Sequence, residues 1–272
     1  MTKHLRISIG KLPVVIYFCL VIYIISCDKS SPTHTINCYP NTTQKDTAVL
    51  LVIGQSNAAN FGLTTHLAAC EHVLNFYAGD FYPCADPLKG AAGTKGSVWS
   101  RLGDVLIDSA FAKVVIIAPC AIGGTTLQQW KPGGINNHYI IETIQQLQAK
   151  GLTITHILWH QGEANNSSAL LFSAAQQNAR QYQTDFRELV AQIRSMGVEA
   201  PVFPAIATQC RQSADTLLQH AQRELASESA GIFNGPNTDA LGDEYRFDGC
   251  HFNEEGLNKH AQLWADILLK HH

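Results

Sequence analysis

Four short blocks hold most of the residues in this chain that could carry chemistry: Gly54-Gln55-Ser56-Asn57, Cys120-Ala121-Ile122-Gly123-Gly124-Thr125, His160-Gln161-Gly162-Glu163 and Asp248-Gly249-Cys250-His251. A serine hydroxyl is a weak nucleophile until a base takes its proton, and histidine is the side chain suited to that task at neutral pH. Ser56 follows an apolar run and opens a segment whose start would present free amides and a positive dipole end. That position suits a nucleophile whose attack creates an oxyanion; a serine there can also do no more than cap a helix. His251 lies three residues after Asp248. A short turn between them lets the carboxylate hold Nδ1–H and leaves Nε2 to accept the serine proton. That spacing singles His251 out of the chain's 12 histidines, whereas Asp248 alone would read as a turn aspartate before glycine. Gln161 offers an amide that can donate to a developing O⁻, a contribution typically of about 3 kcal/mol; otherwise it braces its loop. Gln55, Asn57 and Glu163 are candidates for loop bracing or substrate contact, with bracing favoured for Glu163.

A metal site is the main competing chemistry, because His156 and His160 precede Glu163. On a helix the two imidazoles would share a face. Ile157-Leu158-Trp159 between them reads as strand, which sets them about 13 Å apart, too far to share one ion. Neither metal nor cofactor is expected. A G-x-S-x-G elbow is absent, since Ser56 stands in Gly-Gln-Ser-Asn-Ala, so the α/β-hydrolase pattern is not supported.

The elements around these blocks alternate. Strand-like runs fall at Ala48–Ile53, His72–Tyr77, Lys113–Ala118, Ile154–Trp159 and Pro201–Ala207, the last weakened by its prolines. Helical patterns fall at Trp99–Phe111, Tyr139–Lys150, Ala174–Met196, Ala214–Ser227 and Glu254–Leu269. Strand then helix, repeated, predicts a three-layer α/β/α sandwich around a parallel sheet of about five strands. Residues 78–98, rich in glycine and proline, read as a long surface loop. In such a sheet function sits at the carboxyl ends of the strands. Three of the four blocks follow strands, and the fourth precedes the last helix.

The four blocks, in this order, resemble those of the SGNH hydrolases, and within them the sialate O-acetylesterase domain family and related acetylxylan esterases. The resemblance runs over residues 48–264. It implies a serine esterase removing O-acetyl groups from a carbohydrate, sialic acid or a plant or bacterial polysaccharide, without a cofactor. It assigns the nucleophile to Ser56 and the charge-relay pair to Asp248 and His251. Its oxyanion donors fall on the Ser56 amide, a glycine amide of Gly123 or Gly124, and the Gln161 side chain. Two departures bear on specificity: Cys250 stands where relatives often carry leucine, and Ala164-Asn165 replaces the Ser/Thr-Asp that commonly follows Q-G-E. The alternatives are a lipid esterase or lysophospholipase on the same fold, and a carbohydrate-binding protein that has lost catalysis.

Composition narrows the setting. The 272 residues, 46% hydrophobic and 15% charged with a formal charge of -3, give no basic surface for nucleic acid. Lys3, Arg6 and Lys11 precede an apolar run from Pro13 to Ser26, shorter than the roughly 20 residues of a membrane-spanning helix. With Ile24-Ile25-Ser26-Cys27 at its end, residues 1–27 read as a signal peptide with a lipobox-like close and Cys27 as the lipid-bearing residue. Residues 28–46 read as a polar tether and 47–272 as one esterase domain. The expected location is beyond the inner membrane, facing the periplasm or cell surface. Cys38, Cys70, Cys84, Cys120, Cys210 and Cys250 remain for disulfides, in any of 15 pairings.

Overall fold

The computed structural model describes residues 46–272 apart from Gln212. The signal peptide, Cys27, Cys38 and nearly all of the tether therefore lie outside the described residues. Six strands form one sheet: β1 Thr47–Gly54, β2 Val73–Tyr77, β3 Asp80–Pro83, β4 Val114–Ala121, β5 His156–His160 and β6 Val202–Pro204. Five helices accompany them: α1 Trp99–Asp108, α2 Asn137–Ala149, α3 Phe172–Ser195, α4 Thr216–Arg223 and α5 Glu254–Lys270. The sheet order is β3-β2-β4-β1-β5-β6, parallel except for β3.

The strand sequences explain the layers. Every residue of β1 and of β4 is buried, which requires apolar side chains on both faces and produces continuous rather than alternating runs. Along β1, Val49, Leu51 and Ile53 point into a core shared with Ile140 and Ile144 of α2 and Tyr182, Phe186 and Leu189 of α3. Ala48, Leu50 and Val52 point the other way, into a core with Leu102 and Leu106 of α1 and Trp264 and Leu268 of α5. Two helical layers thus clamp one sheet, as the alternating pattern predicts.

Two expectations change. The sheet has six strands rather than about five, because the start of the supposed 78–98 loop is a hairpin. Ala78 and Gly79 both take positive φ, 52° and 82°, the two-residue turn that matches strand twist. It folds Asp80–Pro83 back antiparallel against β2. β3 is a four-residue edge strand with exposed ends, so it lacks the apolar run that marks its neighbours. β6 is shorter than its apolar run and spans three residues, since Pro201 and Pro204 bound it and proline cannot donate to a ladder.

The order also locates a switch point. From β1 the chain runs out to β2 and β3 at one edge, returns to β4 beside β1, and then passes to the other side of β1 to build β5 and β6. A crevice forms at the carboxyl end of the strand where the direction reverses, and here that strand is β1.

Candidate active site

Gly54 at the end of β1 lies opposite both Ala121, the last residue of β4, and His160, the last of β5. Three strands stop flush, so their following loops share one rim. Gly54 has φ of +155°, and a Cβ there would stand 2.0 Å from the His160 carbonyl oxygen. Only glycine allows that approach. Just beyond it, the Gln55 amide donates to His160 O (3.1 Å) and Gln55 O accepts from the Ala58 amide (2.9 Å). Ser56 opens the short 3-10 turn Ser56–Ala58. As the first residue of that turn, it has no acceptor for its own N–H within the turn.

After β4, the Ile122 amide donates to Gly54 O (3.1 Å), pinning the glycine loop to the Ser56 loop. Thr125 Oγ1 donates to Ile122 O and accepts from Trp130 Nε1, both at 2.8 Å. Among the described residues the Gly123 and Gly124 amides donate to no protein acceptor. Two free N–H groups on a fixed loop beside a serine are what an oxyanion requires.

The Asp-Gly-Cys-His turn closes on itself as its spacing predicts. Asp248 Oδ1 accepts from the amides of His251 (2.7 Å) and Cys250 (3.0 Å). Asp248 Oδ2 pairs with His251 Nδ1 at 2.7 Å, which sets the proton on Nδ1 and leaves Nε2 as acceptor. Burial alone would raise the Asp248 carboxyl, but the bonds from His251 and Cys250 outweigh it and hold the group below the usual range. Asn253 then caps α5 by accepting from the Gly256 amide (2.9 Å).

These loops surround a cleft of ≈ 440 Å³ lined by Gln55, Ser56, Gly123, Gly124, Glu163 and His251, with Phe61 and both Cys210 and Cys250 in its wall. The Ser56 hydroxyl and the His251 ring share the cleft without a direct hydrogen bond; bonds of this kind commonly tighten only around substrate. A second cleft, ≈ 460 Å³, lies between α3 and residues 229–232 at the amino end of β6. The guanidinium of Arg194 there donates to four backbone carbonyls, and the cleft holds no nucleophile–base pair.

Gln161 departs from the expected geometry. Its side chain is fully buried and does not line the cleft. Nε2 donates inward to Asn165 Oδ1 (2.8 Å), Thr125 O (3.1 Å) and Gln55 Oε1 (3.3 Å). Glu163 lines the cleft and its Oε1 accepts from Asn57 Nδ2 at 2.7 Å, while the same Nδ2 donates to Cys250 O at 3.2 Å. Asn57 therefore ties the Ser56 loop to the turn that holds Asp248 and His251. Glu163 Oε2 is sealed without a partner, and burial pushes the carboxyl up to about 7 against the pull of Asn57 and Arg246. His160 Nδ1 lies 3.9 Å from Glu163 Oε1, but burial and then Arg246 push His160 down to about 3. It is neutral, and the contact is not an ion pair.

Three contributors carry little sequence signal. Phe61 stacks on His251 with centroids 5.5 Å apart and planes at 23°. Cys210 forms a disulfide with Cys250 across 40 residues, while Cys70, Cys84 and Cys120 are free thiols. Arg246 is buried beneath the turn, donating to Cys250 O, Leu241 O and Thr238 O and lying over the Phe252 ring. Cysteine parity hinted at a bridge without choosing it, and an arginine two residues before Asp248 could have drawn notice. Nothing in the sequence marks Phe61.

A mostly parallel sheet between helical layers thus carries Ser56, the Gly123-Gly124 loop and the Asp248–His251 turn about one cleft. Residues 46–270 match the carbohydrate esterase family described as sialic acid-specific acetylesterase, and the chain belongs to that family. It is accordingly a carboxylic ester hydrolase. Among solved structures, the chain is similar to a protein of Arabidopsis thaliana, at 17% identity and a TM-score of 0.68, covering 83% of this chain and 98% of that one. It is similar to NanS at 15% identity and a TM-score of 0.56, covering 85% and 98%. A third is a carbohydrate acetylesterase from Xanthomonas citri, at 14% identity and a TM-score of 0.54, covering 82% of this chain and 56% of that one. At these identities the likeness concerns the fold. No curated protein sequence matches the chain.

Proposed function

We propose that the protein removes O-acetyl groups from a carbohydrate, sialic acid or an acetylated polysaccharide, through an acyl-enzyme on Ser56. The observation that carries this reading is the 2.7 Å pairing of His251 Nδ1 with Asp248 Oδ2, on a ring that faces the same cleft as Ser56. In the first step His251 Nε2 takes the Ser56 proton as Oγ attacks the ester carbonyl, and Asp248 stabilises the imidazolium. The resulting oxyanion meets the amides of Ser56 and of Gly123 or Gly124. His251 then protonates the departing sugar hydroxyl. Water, deprotonated by His251, attacks the acetyl-serine; acetate leaves and Ser56 regains its proton.

Ser56→Ala tests this. The hydroxyl makes no hydrogen bond that the fold depends on, so the melting temperature should hold while turnover of p-nitrophenyl acetate disappears. A folded variant that still turns over at the wild-type rate ends the proposal. Acetate release across a panel of acetylated sugars, with longer p-nitrophenyl esters beside it, separates a carbohydrate acetylesterase from a lipid esterase.

The basic start, the apolar run and Cys27 support a second part of the reading. The chain is exported and held by a lipid on Cys27, facing the periplasm or cell surface.

A further inference from the structure

The residue before the nucleophile carries a polar group that the folded chain does not use. Gln55 is buried and its backbone is fixed on both sides, N–H to His160 O and C=O to the Ala58 amide. Its side-chain oxygen is fixed as well: Oε1 accepts from the Ala164 amide at 2.9 Å and from Gln161 Nε2 at 3.3 Å. Two donors aimed at one end of an amide decide which end is oxygen, because the flipped amide would set N–H against N–H. The NH₂ group must therefore point the other way.

Among the described residues Gln55 Nε2 has no acceptor, and it is not one of the sealed polar atoms, which nearby are Gln161 Oε1, His160 Nδ1 and Glu163 Oε2. Its open side is the cleft that Gln55 lines with Ser56, Gly123 and Gly124. Nε2 is thus a donor held at the cleft wall by its fixed oxygen, met by solvent in the resting fold and free to meet a substrate oxygen in its place. Gln161 cannot fill the same role in this arrangement, since its Nε2 is turned inward to Asn165, Thr125 and Gln55.

We propose that Gln55 Nε2 is the side-chain donor to the tetrahedral oxyanion, beside the amides of Ser56 and Gly123 or Gly124. Gln161 is then a positioning residue that holds Gln55 Oε1 so that the NH₂ faces the reacting carbonyl. The assignment rests on Ser56 being the nucleophile.

Gln55→Glu in the full chain is the direct test, because it keeps an oxygen for Ala164 N–H and Gln161 Nε2 and replaces only the donor. With p-nitrophenyl acetate, kcat should fall roughly 100- to 1000-fold while KM changes little, the signature of an interaction made in the transition state. Inhibition by phenylboronic acid, whose tetrahedral adduct on a serine mimics the intermediate, should weaken in parallel. Gln55→Met, neutral and similar in length, should show the same split if the glutamate variant does not fold. A bracing role alone would leave a folded Gln55→Glu with wild-type kcat, and that result overturns the assignment. A raised KM with kcat spared overturns it too, since the amide would then bind the sugar. Ser56→Ala run alongside keeps the two levels apart: an inactive Ser56→Ala beside a fully active Gln55→Glu refutes only the donor, whereas an active Ser56→Ala refutes the mechanism beneath it.

Discussion

Replacing Glu163 with glutamine should make the protein more stable above neutral pH and leave it nearly unchanged in acid. Burial raises this carboxyl to about 7 from 4.5; the Asn57 bond and Arg246 oppose the rise and Asp239 adds to it. The unfolded chain releases the proton near 4.5. Between those values the folded state holds a proton that the unfolded state has lost, so stability falls as pH rises. The interval is about 2.5 pH units, and at 1.36 kcal/mol per unit the group costs the fold roughly 3 kcal/mol by pH 8. Glutamine cannot ionise, and it keeps the oxygen that Asn57 Nδ2 uses. The variant should thus gain roughly 3 kcal/mol at pH 8, a rise in Tm of about 6–10 °C for a domain of this size. At pH 4.5 the two proteins should melt together. Melts of both at pH 4.5, 6 and 8 read this as a difference, in which His160 and His260, both pushed down by burial, largely cancel. Equal stability at pH 8, or a less stable variant there, would mean that Glu163 is ionised in the fold, and the reasoning would fail.

Gly54→Ala should destabilise the protein by at least about 3 kcal/mol, since a Cβ 2.0 Å from His160 O must push β1 and β5 apart; urea unfolding measures it, and a cost below about 1 kcal/mol would count against the close approach. Breaking the Cys210–Cys250 bridge with Cys210→Ser should cost about 4 kcal/mol for a loop of 40 residues. It should also lower kcat, because Cys250 adjoins His251 and its amide holds Asp248; unchanged kcat and melting would dismiss the bridge as a support of the turn. Cys27→Ser should abolish labelling by a radiolabelled fatty acid and release the protein from the membrane fraction, and labelling that persists would refute the lipid anchor.

What could be read without coordinates was whatever rests on local pattern. β1 and β4 announce themselves because a strand covered on both faces must be apolar at every position. The Asp248–His251 pair announces itself because three residues of turn are enough to bring the carboxylate onto Nδ1. β3 did not, since four residues at a sheet edge owe their pairing to the Ala78-Gly79 turn rather than to their own hydrophobicity. Partners distant in sequence were equally hidden. Phe61 meets His251 and Cys210 meets Cys250 only through tertiary packing, and six cysteines do not choose their pairs. The direction of an amide was the hardest case. Gln55 and Gln161 have the same chemistry in sequence, and only their hydrogen-bond partners show which faces inward.

The level finish of β1, β4 and β5, with Gly54 across from Ala121 and His160, makes strand length a quantity under constraint. Deleting one residue from any of the three would draw its loop back by about 3.3 Å and turn the remaining side chains to the opposite face. No reorganisation of the loop itself could recover both the height and the facing. Residues 169–171, exposed and leading from the rim into α3, carry no such burden. Variation in substrate preference among related enzymes should therefore collect in such outer segments as insertions and deletions, with the three strand lengths held fixed. An engineer wishing to move this protein to another ester substrate has the same freedom and the same prohibition.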